Sequence, residues 1–380
     1  MARPAWTAQA EFAGPNRFGY SPPQPMPGQL PLERPPQRIL LIKPSSLGDI
    51  VHALPVLSLV KRRWPEAEVS WLVTPAYAGI LEGHPLLAEV ILFERRRLAG
   101  FWRNPRSALR LLQFARELRQ RQFDLVIDLQ GLFRSGWISR RTRSPLRVGF
   151  ADARELAWLF YTQRVDAGDR EQHAIDRNLK IAQALGCGSG PVEFPFPPHQ
   201  AQRKRVDALL PEGQRIAVLL PGANWLTKRW PADRFAALVE PLRARFGLTC
   251  VIAGGSDAVE LAPQIPGAVN LAGKTSLLEL VALLERAELV VANDSGPMHI
   301  AAALGRPLVT MFAPTNPVRT GPYGRPDSVV RTSNQCSPCY RRQRWRCSCI
   351  DSIDVRAVLA AAEAELGRAA NRHPQADPAQ

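Results

Sequence analysis

The stretch RILLIKPSSLGDI, residues 38–50, decides the fold. Its first half is a continuous apolar run, which is typical of a strand covered on both faces. Pro44-Ser45-Ser46 then makes a turn, and a helical pattern of apolar residues continues to about Trp64. Pro55 must kink this helix or delay its start, because proline lacks the N–H that a helix interior needs. The stretch therefore predicts a strand–loop–helix unit.

The same unit recurs along the chain. Strands are predicted at 68–74, 89–93 and 124–128, with a helix near 106–121. Strands that alternate with helices predict an α/β fold with doubly wound parallel sheets. The alternation stops at a Gly- and Pro-rich linker and then restarts. The linker is 188–213, the later strands are 215–220, 248–253, 289–292 and 307–312, and the later helices are near 232–245, 276–286 and 296–304.

These breaks divide the chain into four segments. Residues 1–37 contain nine prolines and no apolar periodicity, which predicts a disordered leader. Residues 38–190 are predicted to form an N-terminal Rossmann-like domain, and 191–350 a second one. A C-terminal helix and tail are expected over 351–380.

The composition excludes several classes of protein. The chain has 380 residues, of which 46% are hydrophobic and 22% charged, so it is neither collagen-like nor wholly disordered. Its apolar stretches, such as 51–60, fall short of the roughly 18 residues that a membrane span needs. The first residues lack the basic-then-apolar order of a secretory signal, so a cytoplasmic location is expected.

Positive charge is concentrated in one segment. The whole chain has 49 Lys and Arg against 34 Asp and Glu, a net charge of +15. Residues 95–147 contain 14 arginines and three acidic residues, a net charge of +11. Such an excess indicates an anionic partner, which can be nucleic acid, phosphorylated lipid or a nucleotide-linked substrate. Phe101, Trp102, Phe133 and Trp137 lie between the arginines, a pattern that RNA-binding surfaces also show.

Polar or glycine-rich turns follow three strands of the second half, at 221–224, 254–257 and 293–296. Open α/β sheets bind ligands beyond the carboxyl ends of their strands, so these turns are expected to line one pocket. The last turn also opens a helix, whose free N–H groups and dipole attract a phosphate. An ordinary cap by Asp294 or Ser295, with His299 packed in the core, explains the same residues equally well.

Single charged residues near the strand ends have a chemical and a structural explanation. Lys228 can neutralise a diphosphate leaving group, although solvated surface lysines are far commoner. Asp257 can hold ribose hydroxyls or cap the helix after it. Asp49 can act as a general base toward an acceptor hydroxyl, although spacing alone favours a helix cap. His52 is a weaker base candidate and is expected to pack.

Four of the six cysteines lie close together in the pattern Cys336-x2-Cys339-x7-Cys347-x-Cys349. Four thiolates in a reducing cytosol are a familiar ligand set for a metal such as structural zinc. The Cys-x-Cys half is unusual, and the spacer is short for a zinc ribbon. Reduced structural thiols are therefore the competing interpretation.

Five motifs in order resemble glycosyltransferase family 9, the ADP-heptose:lipopolysaccharide heptosyltransferases and their relatives. The resemblance covers about 38–360 and leaves out the leader. Because the five motifs occur together, the resemblance favours the chemical explanation of each residue over the structural one. The motifs are KPSSLGDIVHALP (43–55), DLQGLFRS (128–135), Pro221-Gly222 with TKRWP (227–231), GKTSL (273–277) and NDSGPMH (293–299).

The resemblance implies the fold called GT-B, in which two Rossmann-like domains face a cleft, and an inverting, metal-independent sugar transfer. It puts the general base at Asp49 and the diphosphate-binding lysine at Lys228. The cysteine segment is similar to clusters in the heptosyltransferase II branch. The implied donor-binding residues are Thr227, Asp257, Thr275, Asp294, Ser295, Gly296 and His299, and the expected acceptor-binding residues are Ser46, Gly48, Arg134 and Arg147.

The resemblance also implies the partners. The donor would be ADP-L-glycero-D-manno-heptose, and the acceptor would be the Kdo or heptose inner core of lipopolysaccharide at the cytoplasmic face of the inner membrane. A monomer is expected, with no required cofactor and no nucleic-acid partner. A family 9 transferase for another nucleotide sugar or surface glycan would carry nearly the same motifs. The excess of arginine in 95–147 also allows a protein that is not an enzyme, namely a polyanion-binding module.

Overall fold

A computed structural model describes residues 34–94 and 105–372 of the chain. Most of the predicted leader (1–37) and the residues 373–380 of the predicted tail lie outside the described residues. So do residues 95–104 of the basic segment, which include Arg95, Arg96, Arg97, Phe101, Trp102 and Arg103.

Two six-stranded parallel sheets form the centre of the fold. The first sheet contains β1 (Arg38–Ile42), β2 (Glu68–Val73), β3 (Glu89–Leu92), β4 (Leu125–Asp128), β5 (Leu146–Phe150) and β6 (Gln163–Val165). The second contains β7 (Ile216–Leu220), β8 (Thr249–Ile252), β9 (Val269–Asn270), β10 (Leu289–Asn293), β11 (Leu308–Phe312) and β12 (Val329–Arg331).

Both sheets have the same strand order. From one edge to the other, the strands of the first sheet lie in the order β3-β2-β1-β4-β5-β6. Read from its β9 edge, the second sheet has the order β9-β8-β7-β10-β11-β12. Each is the doubly wound Rossmann order, with the first strand at the centre. Ile39–Ile42 of β1 are completely buried, as the unbroken apolar run predicts for a strand covered on both faces.

The predicted strands are present in the structure. Four further strands, which are short or polar, are not predicted from the sequence. β6, β9 and β12 have two or three residues each and carry little periodic signal. β9 and β12, like β6, lie at the edge of a sheet, where pairing with a single neighbour needs no apolar run. β5 contains an arginine and a glycine, which hid it in the sequence.

Helices cover the faces of both sheets. Pro55 has the predicted effect: the first helical pattern is split into Leu47–Val51 and Leu54–Arg63, and the proline lies in the first turn of the second helix. Among the described residues of the first half, the other α-helices are Pro75–Ala78, Pro105–Gln120, Phe133–Arg141, Ala174–Ala184 and Gln200–Leu209. Those of the second half are Ala232–Phe246, Ser256–Leu261, Leu277–Arg286, Gly296–Ala303, Pro317–Thr320 and Val355–Arg372.

The two faces of the first sheet are covered by different helices. Ile39 and Leu41 face the helices Leu54–Arg63 and Ala174–Ala184 in one core. Leu40 and Ile42 point the other way and pack against Pro105–Gln120 and Phe133–Arg141. The predicted linker 188–213 contains the helix Gln200–Leu209, which packs on Leu277–Arg286. In the described ranges no helix combines the length and the apolar character of a membrane span.

Candidate active site

The carboxyl ends of both sheets face a single cleft. In each sheet the strand order changes direction beside the first strand, between β1 and β4 and between β7 and β10. Doubly wound sheets bind ligands at this point. The cleft has a volume of about 820 Å³, and its lining combines the loop after β1 with all three predicted turns of the second sheet. The topology therefore brings residues from both halves of the chain to one site.

Asp49 enters the cleft from the first half. It occupies the third position of the helix Leu47–Val51 and is not the N-cap that spacing favoured. Its Oδ2 accepts hydrogen bonds from the N–H (3.0 Å) and the hydroxyl (2.9 Å) of Ser46. This contact holds the carboxylate in place while its side chain stays 42% exposed to the cleft.

Lys43 sets the charge state of Asp49. Its buried Nζ lies 3.8 Å from Asp49 Oδ1 and donates a hydrogen bond to Leu129 O at 2.7 Å. Burial disfavours the ionised carboxyl, but Lys43 and the two hydrogen bonds from Ser46 outweigh it and lower the pKa of Asp49. The carboxylate is therefore ionised near pH 7. Sequence reasoning missed Lys43, although a lysine at the end of a buried strand requires a partner.

Lys228 faces Asp49 from the second half. It lies in the loop after β7, and its Nζ is 2.6 Å from Asp294 Oδ2 and 4.7 Å from the ring centre of Trp225. Asp294 is buried and also accepts a hydrogen bond from the Thr315 hydroxyl. Only 16% of the lysine side chain is exposed, so its charge acts in a partly desolvated environment.

The helix Gly296–Ala303 presents its N-terminus to the same space. Ser295 is at the N-cap position but makes no side-chain cap, and its Oγ is buried without a hydrogen-bond partner in the part of the chain that the structure describes. An ordinary cap therefore does not explain this serine. The first N–H groups of the helix and the unpaired hydroxyl together form a site for an anion.

The remaining turns of the second sheet form the other end of the cleft. Asp257 lies in the first turn of Ser256–Leu261, with Arg229 Nη2 at 4.0 Å from its Oδ2. A methyl group on Gly222 would stand 2.5 Å from that oxygen, so the glycine leaves room for the carboxylate. Thr275 also lines the cleft. A carboxylate beside a small-residue turn can hold vicinal hydroxyls.

Three histidines pack where the halves meet. His52 Nε2 and His299 Nδ1 are 2.9 Å apart, and the ring of His173 lies 5.3 Å from that of His52. Burial is the largest cause that lowers the pKa of all three, to about 4 for His299 and well below the usual value for His52. These rings are neutral at pH 7. His52 is therefore the packed residue that the sequence predicts.

Arg342 is a second cation of the cleft that sequence reasoning missed. Its guanidinium lies 4.5 Å from the ring centre of Trp225, the same indole that Lys228 contacts. Arg342 belongs to the loop between Cys339 and Cys347, more than a hundred residues from Lys228 along the chain. The only sequence signal was the arginine-rich composition of that loop.

Three predicted site residues lie elsewhere. Thr227 is completely buried, and its hydroxyl donates to Arg341 O at 2.7 Å, so it supports the Lys228 loop from behind. Arg147 donates to the carbonyls of Phe160 and Ser144 at 2.9 and 2.6 Å and lines a different pocket. Arg134 is exposed on Phe133–Arg141 and is not part of the cleft lining. By contrast, Ser46, Gly48 and His299 line the cleft.

The cysteine segment forms a cluster behind the Lys228 loop. The Sγ atoms of Cys339 and Cys347 are 3.5 Å apart, those of Cys347 and Cys349 3.0 Å, and all three lie within 4.8 Å of one another. Burial opposes ionisation, and it raises the pKa of Cys349 to about 12, whereas hydrogen bonds from Cys349 and Cys339 lower that of Cys347. Cys336 is exposed, and its sulfur is not one of these three.

Comparison with known proteins agrees with the resemblance to glycosyltransferase family 9. The model of the family described as "Glycosyltransferase family 9 (heptosyltransferase)" matches residues 111–347. Lipopolysaccharide heptosyltransferase 1 of Pseudomonas aeruginosa is 34% identical over 318 residues, which cover 80% of this chain and 86% of the relative.

Solved structures agree with the fold. An Escherichia coli heptosyltransferase solved with ADP superimposes with a TM-score of 0.70 and 27% identity, covering 86% of this chain and 99% of that one. A family 9 glycosyltransferase from Veillonella parvula gives a TM-score of 0.72 at 23% identity, covering 87% and 97%. The predicted GT-B architecture, two Rossmann-like domains around a cleft, is confirmed. The protein is a glycosyltransferase, and the chain belongs to glycosyltransferase family 9.

Proposed function

We propose that the protein transfers heptose, with inversion, from ADP-L-glycero-D-manno-heptose to the Kdo or heptose inner core of lipopolysaccharide. The observation that carries this proposal is the meeting of an ionised Asp49 with the Lys228 and Ser295 anion site across one cleft. A general base and a leaving-group site on opposite walls are what displacement at a sugar carbon requires. Family membership favours this enzyme over the polyanion-binding module.

The reaction follows from these positions. Asp49 accepts the proton of the acceptor hydroxyl while that oxygen forms a bond to the anomeric carbon. The bond from this carbon to the β-phosphate oxygen of ADP breaks on the opposite face, and ADP leaves with the electron pair. Lys228 and the N–H groups at the start of Gly296–Ala303 stabilise the growing negative charge. Because these groups act as the cation, no divalent ion is required.

Lys228 must change partners during this cycle. In the structure its ammonium is paired with Asp294 at 2.6 Å. A diphosphate at the helix start would compete for that ammonium, and the buried Asp294 would keep its hydrogen bond from Thr315. Arg342 supplies further positive charge on the same side of Trp225. Asp257 is proposed to hold the ribose, and Thr275 to lie beside the adenine.

The two halves divide the work in this proposal. Residues 38–190 bind the acceptor and provide Asp49, whereas 191–350 bind the donor. Ser46 and Gly48 line the cleft beside Asp49 and are proposed to contact the acceptor. The lipid acceptor puts the enzyme at the cytoplasmic face of the inner membrane as a peripheral protein, and one chain contains a complete site, which is consistent with a monomer.

We also propose that the cysteine cluster holds a structural zinc ion. Three thiols within 4.8 Å match a closed thiolate site, and Cys336 can supply the fourth ligand from its nearby loop. Zinc would keep as thiolates the sulfurs whose ionisation burial opposes. Its role would be to hold the loop 336–349, not to take part in the transfer.

The central test is the transfer assay with EDTA present. Wild-type protein is expected to convert ADP-heptose and Kdo-lipid A to product, and Asp49→Asn to be slower by at least about 100-fold, the low end for loss of a general base. ADP binding by the variant should be unchanged. Asp233→Asn, an exposed carboxyl on Ala232–Phe246, is the matched control. Full activity of Asp49→Asn would refute the assigned base.

Donor identity is tested separately. Thermal shifts against a panel of nucleotide sugars should be largest for ADP-heptose, because ligands that bind the folded state raise its melting temperature. A larger shift with another nucleotide sugar would favour the alternative family 9 activity. It would leave the assignment of Asp49 unaffected.

A further inference from the structure

A second pocket lies on the first sheet, away from the cleft. It has a volume of about 720 Å³ and shares no lining residue with the cleft. The helices that form it, Pro105–Gln120 and Phe133–Arg141, cover the sheet face opposite the helices beside Asp49. Six arginines line this arginine pocket: Arg116, Arg119, Arg140, Arg141, Arg143 and Arg147.

Helical spacing gathers these arginines. Leu112, Arg116 and Arg119 stand at positions i, i+4 and i+7 of one helix and share one face. The adjacent helix contributes Arg140 and Arg141, three and four positions after Trp137. Two packed helices therefore contribute four of the six arginines, whereas Arg143 follows the second helix and Arg147 belongs to β5.

The positive charge of the pocket has no counter-charge in the described residues. No carboxylate lines it there, and none of the six guanidinium groups makes an ion pair. Arg121, two residues after Arg119, shows the ordinary arrangement, with both carboxylate oxygens of Glu89 at 2.8 and 2.6 Å. Burial and the nearby Arg140 lower the pKa of Arg147. Repulsion between such groups is relieved when an anion binds.

Exposed apolar side chains border the pocket, and we call them its rim. Leu112 lines the pocket, Leu109 precedes it by one turn of the same helix, and Phe133 and Leu159 adjoin the lining residue Phe160. Leu112, Leu109, Phe133 and Leu159 are exposed by 53%, 60%, 49% and 52%, although large apolar side chains are usually covered. The aromatic rings at the pocket already contact other side chains. Arg141 covers Trp137 at 4.7 Å, and Phe133 packs edge-on against Phe160 at 5.2 Å, so these rings offer little surface for stacking with a base. Aliphatic side chains around an anion pocket fit a lipid better than stacked bases.

We propose that the arginine pocket binds the phosphate headgroup of an anionic phospholipid and docks the protein on a membrane surface. The guanidinium groups would hold the phosphate oxygens, and the leucines of the rim would enter the boundary between headgroups and acyl chains. The inference rests on the proposed function only because a lipid acceptor brings the enzyme to a membrane. Binding itself needs no sugar transfer.

The test is co-sedimentation of the full chain with vesicles. Binding is expected to phosphatidylcholine vesicles containing about 30% phosphatidylglycerol and not to phosphatidylcholine alone, and to weaken as salt is raised. Arg140→Glu/Arg143→Glu should bind at least about tenfold more weakly, since each basic residue near an anionic surface contributes roughly 1 kcal/mol. Arg243→Glu/Arg245→Glu, the same charge change on an exposed helix of the second half, should bind like wild type.

Other outcomes would overturn the docking role. Equal loss in both double variants would mean that net charge, and not the pocket, controls binding. Inorganic phosphate that displaces the protein from vesicles at an equal phosphate concentration would identify a free-anion site. Single-stranded RNA that binds more tightly than vesicles and resists their competition would identify a nucleic-acid surface.

Two further measurements complete the design. If the first double variant does not fold, Arg116→Gln/Arg119→Gln on the other helix removes charge at exposed positions instead. Calorimetry with ADP should give the wild-type affinity in every folded variant, because the cleft does not include these arginines. Loss of vesicle binding with normal ADP binding separates this inference from the proposed transfer reaction.

Discussion

At the scale of single residues, Gly48 shows how closely the halves must approach. It stands beside Asp49, and a methyl group at its position would overlap the imidazole of His299. The reverse contact is also tight, since a methyl group on Gly296 would come within 2.8 Å of the Cβ of Leu47. Two glycines at two helix starts therefore let Asp49 and the start of Gly296–Ala303 approach each other closely.

Gly48→Ala is expected to lower both stability and activity. The backbone at Gly48 is helical, so alanine is locally acceptable and the cost comes from overpacking, about 1–3 kcal/mol. Transfer rate and thermal unfolding measure the effect. Gly79→Ala, which has no neighbour within 4 Å, should behave like wild type. In a His299→Ala background, Gly48→Ala should cause no further loss of stability, and an undiminished loss there would show that the contact with His299 is not the cause.

At the scale of elements, the loop 336–349 braces the Lys228 loop. Arg341 accepts the Thr227 hydrogen bond, and Arg344 Nη1 donates to Arg229 O at 3.1 Å. Arg342 from the same loop lines the cleft. The cysteine cluster is thus placed to hold Lys228 and Arg342, two cations of the proposed donor site, in position.

Removal of the proposed metal should weaken donor binding without abolishing chemistry. Freshly purified protein is expected to contain about one zinc per chain, and a content under roughly 0.2 would contradict the site. Cys347→Ser should lose the metal and bind ADP several-fold more weakly, because the loop no longer holds Arg342. Cys187→Ala, a buried cysteine of the first half, is the control. Normal ADP affinity in metal-free protein would show that the two features are unconnected.

The sequence predicts the elements better than their mutual positions. Apolar runs predict the central strands, and the rule for carboxyl ends then brings Asp49, Asp257 and Ser295 to one edge. The direction of Thr227 depends on a hydrogen bond to Arg341, more than a hundred residues away, and no local pattern contains that information. Arg147 shows the same limit, since charge alone does not say which layer of helices an arginine belongs to.

At the scale of the whole molecule, the two halves meet through neutral histidines. His52 and His173 come from the first half and His299 from the second, and His52 and His299 share a hydrogen bond of 2.9 Å. Asp49, Asp294, Lys43 and Lys228 surround the group, and burial still dominates the pKa of each ring. A proton added here would place an uncompensated charge between the halves.

Stability is therefore expected to fall as the pH is lowered from 6.5 toward 4. The unfolded state protonates His299 near 6.5 and the folded state only near 4, so the unfolded chain binds more protons between these values. One such site costs about 3 kcal/mol across the whole window. Chemical denaturation at pH 7.5 and 5 measures the decline. Lowered carboxyl pKa values, as for Asp49, act only below this range.

A substitution identifies the histidine contribution. His299→Gln keeps a group that can hydrogen-bond His52 and removes the titration, so its unfolding free energy should decline less between pH 7.5 and 5. Asp128 acts in the opposite direction, because burial raises its pKa and its contribution is lost as the pH rises, but it is the same in both proteins. The difference between wild type and variant therefore isolates the contribution of His299. Equal declines of the unfolding free energy in the two proteins would contradict the prediction. They would mean that burial where the halves meet does not lower the pKa of His299.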